Sequence, residues 1–248
     1  MAARRAFTVL LLALLAPCAL PAQNVGRIRP IIPLENLSDT TTLRDVFERC
    51  AEASGGHDEF ERLSTRVIAA TVVTDLAWDP PIHEVDTLTV YVKAPDSYLM
   101  VHRTPGGVML EGGLHGSLWK REPDGTVSVV DEHDLHGAWL TDVRFFANLT
   151  EHFPDAELLG VDVIDGVHSY VVARDDHPIH NTYFDIETGR LTRLGFHTHF
   201  LEYVRTDGII FPRRVIYGRK GGSTTFLIEE IHHNIPLDDV LFAPPATR

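Results

Sequence analysis

Residues 87–93 read TLTVYVK, in which Leu88, Val90 and Val92 alternate with threonine, tyrosine and lysine. Side chains of a β-strand point to opposite faces in turn, so this period of two predicts a strand with one buried face. The strand indicates the fold class because comparable strand patterns recur along most of the chain.

Ten further segments are predicted as strands, and turn sequences such as Pro123-Asp124-Gly125 and Asp207-Gly208 separate them. Parallel strands need long crossovers, so the short links predict an antiparallel sheet. The ten segments are 66–75, 97–103, 114–120, 126–130, 157–163, 167–174, 180–186, 190–204, 209–218 and 223–231.

One helix is predicted before the strands. Thr42 and Asp45 have the spacing of a capping box, and Gly55-Gly56 is typical of a helix end. Cys50 lies on the apolar stripe, so we interpret it as a small core residue and not as a reactive thiol. The stripe consists of Leu43, Val46, Phe47, Cys50 and Ala51, and a second short helical stretch follows at 57–63.

The segment 136–153 (HGAWLTDVRFFANLTEHF) lacks alternation. Trp139, Val143 and Phe146 lie about one turn apart, which predicts an amphipathic helix in the middle of the chain. The fold class is therefore α+β, with an antiparallel sheet that either closes into a barrel or curls beneath helices that cover its opening. Such an interior can hold a ligand cavity.

Residues 1–22 are predicted to be a secretory signal peptide. They combine basic Arg4 and Arg5, an apolar run and a small-residue ending, LPA. The prediction places the protein in the periplasm. A lipid-anchored form at Cys18 is the less favoured alternative, because a lipidation motif has a small residue directly before its cysteine and Pro17 occupies that position.

After the signal peptide we expect an extended lead-in at 23–40 and a single domain at 41–248. Cleavage would leave Cys50 as the only cysteine, so an internal disulfide is excluded and the core must stabilise the fold by itself. Acidic residues outnumber basic ones by 35 to 22, giving a formal charge of −13. This excess argues against nucleic acid as a partner, because phosphate contacts need lysine and arginine.

Sequence motifs for catalysis are incomplete. Ser117, in HGSLW, lacks the second glycine of a nucleophile elbow. The segment GRKGGST at 218–224 departs from a phosphate-binding loop and is interpreted as a hairpin tip. The glycines of GGVMLEGG at 106–113 have the wrong spacing for a dinucleotide site. The residues therefore predict no cofactor and no enzyme.

The 14 histidines are the one unusual feature of the composition. His197 and His199 are two residues apart in FHTHF and would share a face of a strand, where a third ligand could complete a metal site. Phe196 and Phe200 would then occupy the other face, so we interpret both histidines as facing solvent. A second cluster consists of His133, Asp134 and His136.

The order of these elements resembles the LolA/LolB-like superfold of periplasmic lipoprotein carriers, over residues 41–245. The motifs that carry the resemblance are ASGG at 53–56, VKAPDSYLM at 92–100, HGSLWKREP at 115–123, VIDGVHSYVV at 163–172, YFDIETGRLTRL at 183–194, YVRTDGIIFPRRV at 203–215 and LDDVLFAPP at 237–245.

The resemblance implies a strongly curved, incomplete antiparallel β-barrel with helices over its mouth. It also implies an apolar interior that receives the acyl chains of a lipid or lipoprotein without catalysis. Burial of acyl chains is favourable by about 0.8 kcal/mol per CH₂ group. Envelope membrane proteins are possible further partners. The alternatives are a secreted histidine-dependent metal hydrolase and an envelope interaction module without a cavity.

Twelve residues are expected to line the lipid cavity, nine on strands and three on the covering helix. The strand residues are Leu88, Val90, Val92, Trp119, Tyr170, Val172, Phe184, Phe196 and Phe200, and the helix residues are Trp139, Val143 and Phe146.

Ala94 departs from the pattern of the carriers, which place an arginine before the proline of this hairpin and use it to tether a lid. Neither Arg66 nor Arg144 matches that motif, so no lid role is assigned to them. Without the tether we expect an empty lid that stays more open, or one closed by Trp139 and Phe146. Such a protein would keep its lipid and transfer it poorly.

Overall fold

The computed structural model describes residues 31–37, 40–130, 137–175 and 177–245. The predicted signal peptide, Cys18 and the cluster of His133, Asp134 and His136 lie outside these ranges. Within them, no helix has the length and apolar character needed to cross a membrane. From Ile31 onward the chain is a single compact unit.

Thirteen strands form the sheet of the described residues. They are β1 Thr65–Leu76, β2 Ile82–Lys93, β3 Ser97–Thr104, β4 Gly107–Leu114, β5 Ser117–Arg121, β6 Val127–Val130, β7 Glu157–Ile164, β8 Val167–Ala173, β9 Thr182–Asp185, β10 Leu191–Leu194, β11 Thr198–Thr206, β12 Ile209–Arg219 and β13 Gly222–His233.

Within the described ranges, four short α-helices accompany the sheet, and they are α1 Leu43–Ala53, α2 His57–Glu61, α3 Ala138–Thr141 and α4 Leu149–His152. The same ranges contain three 3-10 turns, at Leu34–Leu37, Pro178–His180 and Asp239–Phe242.

The sheet is antiparallel and open, with the order β6-β5-β4-β3-β2-β1-β13-β12-β11-β10-β9-β8-β7. Two meanders, β1 to β6 and β7 to β13, join where β1 pairs with β13. Strands β6 and β7 are therefore the two opposite edges. Of the chain between them, the structure describes residues 137–156.

The sheet curves around α3. This four-residue helix, about 6 Å long, contacts β2 and β3, while its Trp139 ring meets Phe200 of β11 edge-on and Phe211 of β12 at a tilt. Strands β3 and β11 are five positions apart, which is about 24 Å in a flat sheet. Both can reach α3 only if the sheet bends around it. The predicted class, α+β with a strongly curved antiparallel sheet, is confirmed.

Helix α1 forms as its sequence predicts. The Asp45 amide donates to Thr42 Oγ1 over 3.2 Å, and the Thr42 amide donates to Asp45 Oδ2 over 2.8 Å, which completes the capping box. Cys50 is fully buried in the core, and burial raises the pKa of its thiol to about 12. A thiol that stays protonated at neutral pH is a poor nucleophile, in agreement with its interpretation as a core residue.

Two segments differ from their predictions. The predicted helix at 136–153 is wrong: its described part contains only the single turns α3 and α4. Asp142 leaves the helical region (φ −104°, ψ 119°), and its carboxylate accepts the Arg144 amide that a helix would have used. The predicted strand at 190–204 is two strands, because residues 195–197 form a turn.

Strand β4 was not predicted, because its glycines masked the alternation. Gly112 lies directly under the indole of Trp119 on the outer face of the sheet, the face opposite the main core. Trp119 packs there with Leu99 and donates from Nε1 to the Phe242 carbonyl over 2.9 Å. This second cluster attaches the C-terminal residues to β3, β4 and β5.

We expect Gly112→Ala to lower the free energy of unfolding by about 1–3 kcal/mol, the usual cost of overpacking. A Cβ at this position would lie 2.5 Å from Trp119 Cζ2. Gly106→Ala is the matched control, since its Cβ would approach only Thr104 Oγ1, at 3.4 Å. Urea denaturation measures both. Equal stability of the two variants would contradict this placement of Trp119.

Candidate functional site

The candidate site is the inner face of the sheet, which carries the main core, together with residues 137–156, which we call the covering segment. Inner-face residues of β1 include Ile68, Ala70 and Val72, all buried. Arg66 precedes them in the same alternation and therefore points to the same face. An arginine here is unusual, because a charge among apolar side chains must find partners.

Arg66 is fully buried and binds the main chain of the covering segment. Its Nη2 donates to the carbonyls of Trp139 (3.3 Å), Leu140 (3.2 Å) and Asp142 (2.9 Å). Its Nη1 lies 3.5 Å from the Val143 carbonyl. The guanidinium therefore fastens the segment where α3 ends, and it satisfies carbonyls that a continuous helix would have used internally.

The guanidinium also stacks on the sheet, 4.7 Å from the centre of the Phe211 ring. Burial lowers the pKa of Arg66 to about 10, and the Asp142 carboxylate opposes this change. Arg66 is thus a cation at neutral pH. Its bonds to the carbonyls are charge-assisted, which makes them stronger than neutral hydrogen bonds.

Two further interactions shape the covering segment. Asp142 Oδ2 pairs with His152 Nε2 over 2.7 Å, which joins the two single-turn helices. Burial raises the pKa of Asp142, but the bonds from His152 and the Arg144 amide outweigh it, and the pKa is lowered. Arg144 donates in turn to the carbonyls of Glu61 (3.3 Å) and Leu63 (3.5 Å).

The expectation of a covering segment without an arginine tether is wrong. Ala94 lies in the β2–β3 turn as predicted, yet the tether comes from Arg66 on β1, and Arg144 adds a second attachment. The signal was present in the sequence. In TRVIAATVV, residues 65–73, Arg66 has the same two-residue spacing as the inward-facing Ile68, Ala70 and Val72, and so it shares their face.

Ten of the twelve predicted lining residues lie in the main buried cluster. They are Leu88, Val90, Val92, Trp139, Val143, Phe146, Tyr170, Val172, Phe184 and Phe200. Trp119 belongs to the outer cluster, and Phe196 is 40% exposed in the β10–β11 turn. These two positions do not share the inner face with the other ten.

The covering segment fills the middle of the inner face with aromatic rings. Trp139 meets Phe200 edge-on at 5.5 Å between ring centres, and Phe146 meets Phe211 edge-on at 5.9 Å. An acyl chain could take this space only if those rings moved away from the sheet. That the ten residues line a lipid cavity stays a prediction.

The histidines of FHTHF do not form the pair that the sequence suggested. His197 is exposed in the turn, whereas His199 is half-buried on the outer face of β11. Burial lowers the pKa of His199 to about 4, with the Arg193 guanidinium as a further cause. In the described part of the chain, no three metal-binding side chains come together.

We expect Arg66→Lys to loosen the covering segment, because an ammonium cannot reproduce the planar fork of a guanidinium. The free energy of unfolding should fall by about 2 kcal/mol, the size of one hydrogen bond to a charged group. Amide hydrogen exchange of residues 143–153 should accelerate. Arg103→Lys, on an exposed arginine of β3, is the control. Unchanged exchange in Arg66→Lys would contradict the tether.

We expect His199 to destabilise the protein in acid. The unfolded chain takes up a proton near pH 6.5, whereas folded His199 resists it down to about pH 4. The folded state therefore binds fewer protons in this range, and the free energy of unfolding falls as the pH drops through it. In His199→Gln this fall should be smaller, as measured by urea denaturation at several pH values. His168→Gln, at an exposed histidine of β8 that is distant in sequence from His199, is the control.

Comparisons with known proteins agree with this architecture. The chain is similar to a DUF1329 family protein from Desulfovibrio piger, with 15% identity, a TM-score of 0.57, and 84% of this chain and 100% of that chain covered. It is similar to a LolA superfamily protein from Nitrosomonas europaea, with 14% identity, a TM-score of 0.57, and 83% and 99% covered.

A further similarity is to an outer membrane lipoprotein-sorting protein domain from Vibrio parahaemolyticus, with 10% identity, a TM-score of 0.47, and 80% of this chain and 94% of that chain covered. No protein-family model matches the sequence. No curated protein matches it either. The similarity to the first two structures, each with a TM-score of 0.57, shows that the chain has a LolA-like fold.

Proposed function

We propose that this protein binds the acyl chains of a lipid or lipoprotein on the inner face of its sheet, without catalysis. The covering segment would act as a movable cover, closed by Arg66 when the protein is empty. The predicted signal peptide would place this activity in the periplasm. Acyl chains are the proposed partners, and envelope membrane proteins that deliver or accept them are a second class.

The bonding of Arg66 is the observation that carries the proposal. A core that serves stability alone is more simply filled by apolar side chains, because a buried charge has a large desolvation cost. Arg66 instead binds four carbonyls of one segment. These bonds can break together and form again without any change in the sheet, as a cover that opens and closes requires.

The apolar inner face supplies the driving force for ligand binding. When the rings of Trp139 and Phe146 leave the sheet, residues such as Val90 and Val172 would face water unless another apolar group replaced them. An acyl chain of the right length offers equivalent burial, at about 0.8 kcal/mol per CH₂ group. The closed and the lipid-filled states can therefore exchange at small net cost.

Titration of the full chain with a dansylated fatty acid tests the proposal, and we expect saturable binding. Arg66→Lys should bind the probe severalfold more tightly, because a weaker closed state competes less with the ligand. Arg103→Lys should match the unmodified protein. Absence of saturable binding by folded protein would refute the proposed function. Equal affinity of both variants would refute only the role of Arg66 as a latch.

An envelope interaction module without a cavity is the second candidate. The close packing of Trp139 and Phe146 against Phe200 and Phe211 favours it, because this packing already buries much of the inner face. The same titration distinguishes the two candidates, since such a module would bind no apolar probe.

A further inference from the structure

A second part of the inner face lies on β1, β2 and β13, further from Arg66. Val72 pairs with Asp86 on one side and with Phe226 on the other, so all three side chains point to the inner face. Thr74 and Glu84 are the next inward-facing pair. Glu84 is exposed and Phe226 is half-buried, whereas Val72, Thr74 and Asp86 are buried.

Asp86 is the distinctive residue of this region. It is 6% exposed, and its Oδ2 accepts a hydrogen bond from His102 Nε2 at 3.1 Å. His102 pairs with Leu88 and therefore shares the inner face. The other oxygen, Oδ1, is buried and has no hydrogen-bond partner among the described residues. Buried carboxylate oxygens are normally bonded, so Oδ1 is an acceptor that the described residues leave unfilled.

The charge around Asp86 is negative. Glu84 lies two residues away on the same face, and Glu111 faces inward from β4, where it accepts a hydrogen bond from Tyr98. Lys120 pairs with Glu111 across β4 and β5 and also binds Glu122 at 2.9 Å. We call the surface formed by Glu84, Asp86, His102 and Phe226 the acidic groove. The covering segment borders it, because the Trp139 ring meets the Phe226 ring at 6.1 Å between their centres.

We propose that the acidic groove binds the primary ammonium of an amphiphile's head group. Asp86 Oδ1 accepts one N–H of the ammonium, and Glu84 contributes long-range attraction. This inference rests on the proposed function, since the acyl chain of the same molecule lies on the apolar inner face towards Arg66. The preferred ligand is thus an aminolipid, in which a charged nitrogen and an apolar chain occur together.

The dimensions suit such a molecule. Arg66 and Val72 are six residues apart on β1, which is about 20 Å along a strand. One leaflet of a bilayer has a hydrocarbon layer of about 15 Å, half of the 30 Å core. Once the rings of the covering segment have moved away, an acyl chain therefore fits between Arg66 and the acidic groove.

Displacement of the dansylated fatty acid by lysophosphatidylethanolamine and lysophosphatidylcholine tests the inference. Both carry one phosphate and one positive nitrogen, but the trimethylated nitrogen of the second has no N–H to donate. We expect the unmodified protein to prefer the ethanolamine lipid by about tenfold, the effect of one charge-assisted hydrogen bond. Asp86→Asn should abolish this preference.

Asp75→Asn is the matched control, because it removes the same charge from the outer face of β1, where Asp75 pairs with His83 at 2.6 Å. This control should keep the preference. Glu84→Gln, at an exposed position, should reduce it, and it serves as the second variant if Asp86→Asn fails to fold.

The outcomes separate the two claims. If the dansylated probe does not bind, the proposed function fails. If the probe binds but both lysolipids displace it equally, only the present inference fails. If Asp86→Asn weakens both lysolipids equally, Asp86 has a structural role and the inference is overturned.

Discussion

The crossing of the chain from β6 to β7 is the constraint on which the structure depends. The two strands lie at opposite edges of one open sheet, and the structure describes residues 137–156 of the segment between them. The described part of the segment lies on the inner face, where its aromatic side chains enter the core. The inner face of the sheet is thereby covered by the covering segment, which is not itself part of the sheet.

Such a connection is held weakly by its own backbone. Its helices α3 and α4 have four residues each, too short to be stable alone, and neither has a side-chain N-cap. Its position is set by apolar contacts and by the bonds from Arg66 and Arg144. Apolar contacts can be replaced by a ligand, whereas the carbonyl bonds are specific to the closed arrangement. In the proposed function, the bonds of Arg66 thus decide which state the empty protein adopts.

The sheet could be predicted from the sequence because strand alternation and turn residues are local signals. The capping box of α1 and the burial of Cys50 followed from local patterns for the same reason.

The covering segment could not be predicted in this way. The spacing of Trp139, Val143 and Phe146 is that of a helix, but Asp142 interrupts the helix, and the carbonyls freed there are satisfied by an arginine more than 70 positions away. Strand β4 could not be predicted because its glycines interrupt the alternation. Gly112 leaves room for the Trp119 indole, and this is visible only when β4 is paired with β5.

The two ends of the inner face, along the direction of its strands, carry charged residues of opposite sign, and no single sequence motif reveals this order. At one end lies the Arg66 guanidinium, which binds main-chain carbonyls in the closed arrangement and keeps its positive charge when those bonds break. At the other end the Asp86 carboxylate is bonded on one oxygen only, and Glu84 stands beside it. Between them the register places apolar side chains, Val72 and Phe226 among them. A ligand that matches this order must carry its apolar part next to a hydrogen-bond donor of positive charge. An amphiphile oriented the other way would bring its positive nitrogen towards the guanidinium of Arg66, a like charge, and would leave the Asp86 oxygen without a partner. In the proposed mode of binding the two ends of the face would therefore impose one direction, which follows from the burial of two charged residues on neighbouring strands.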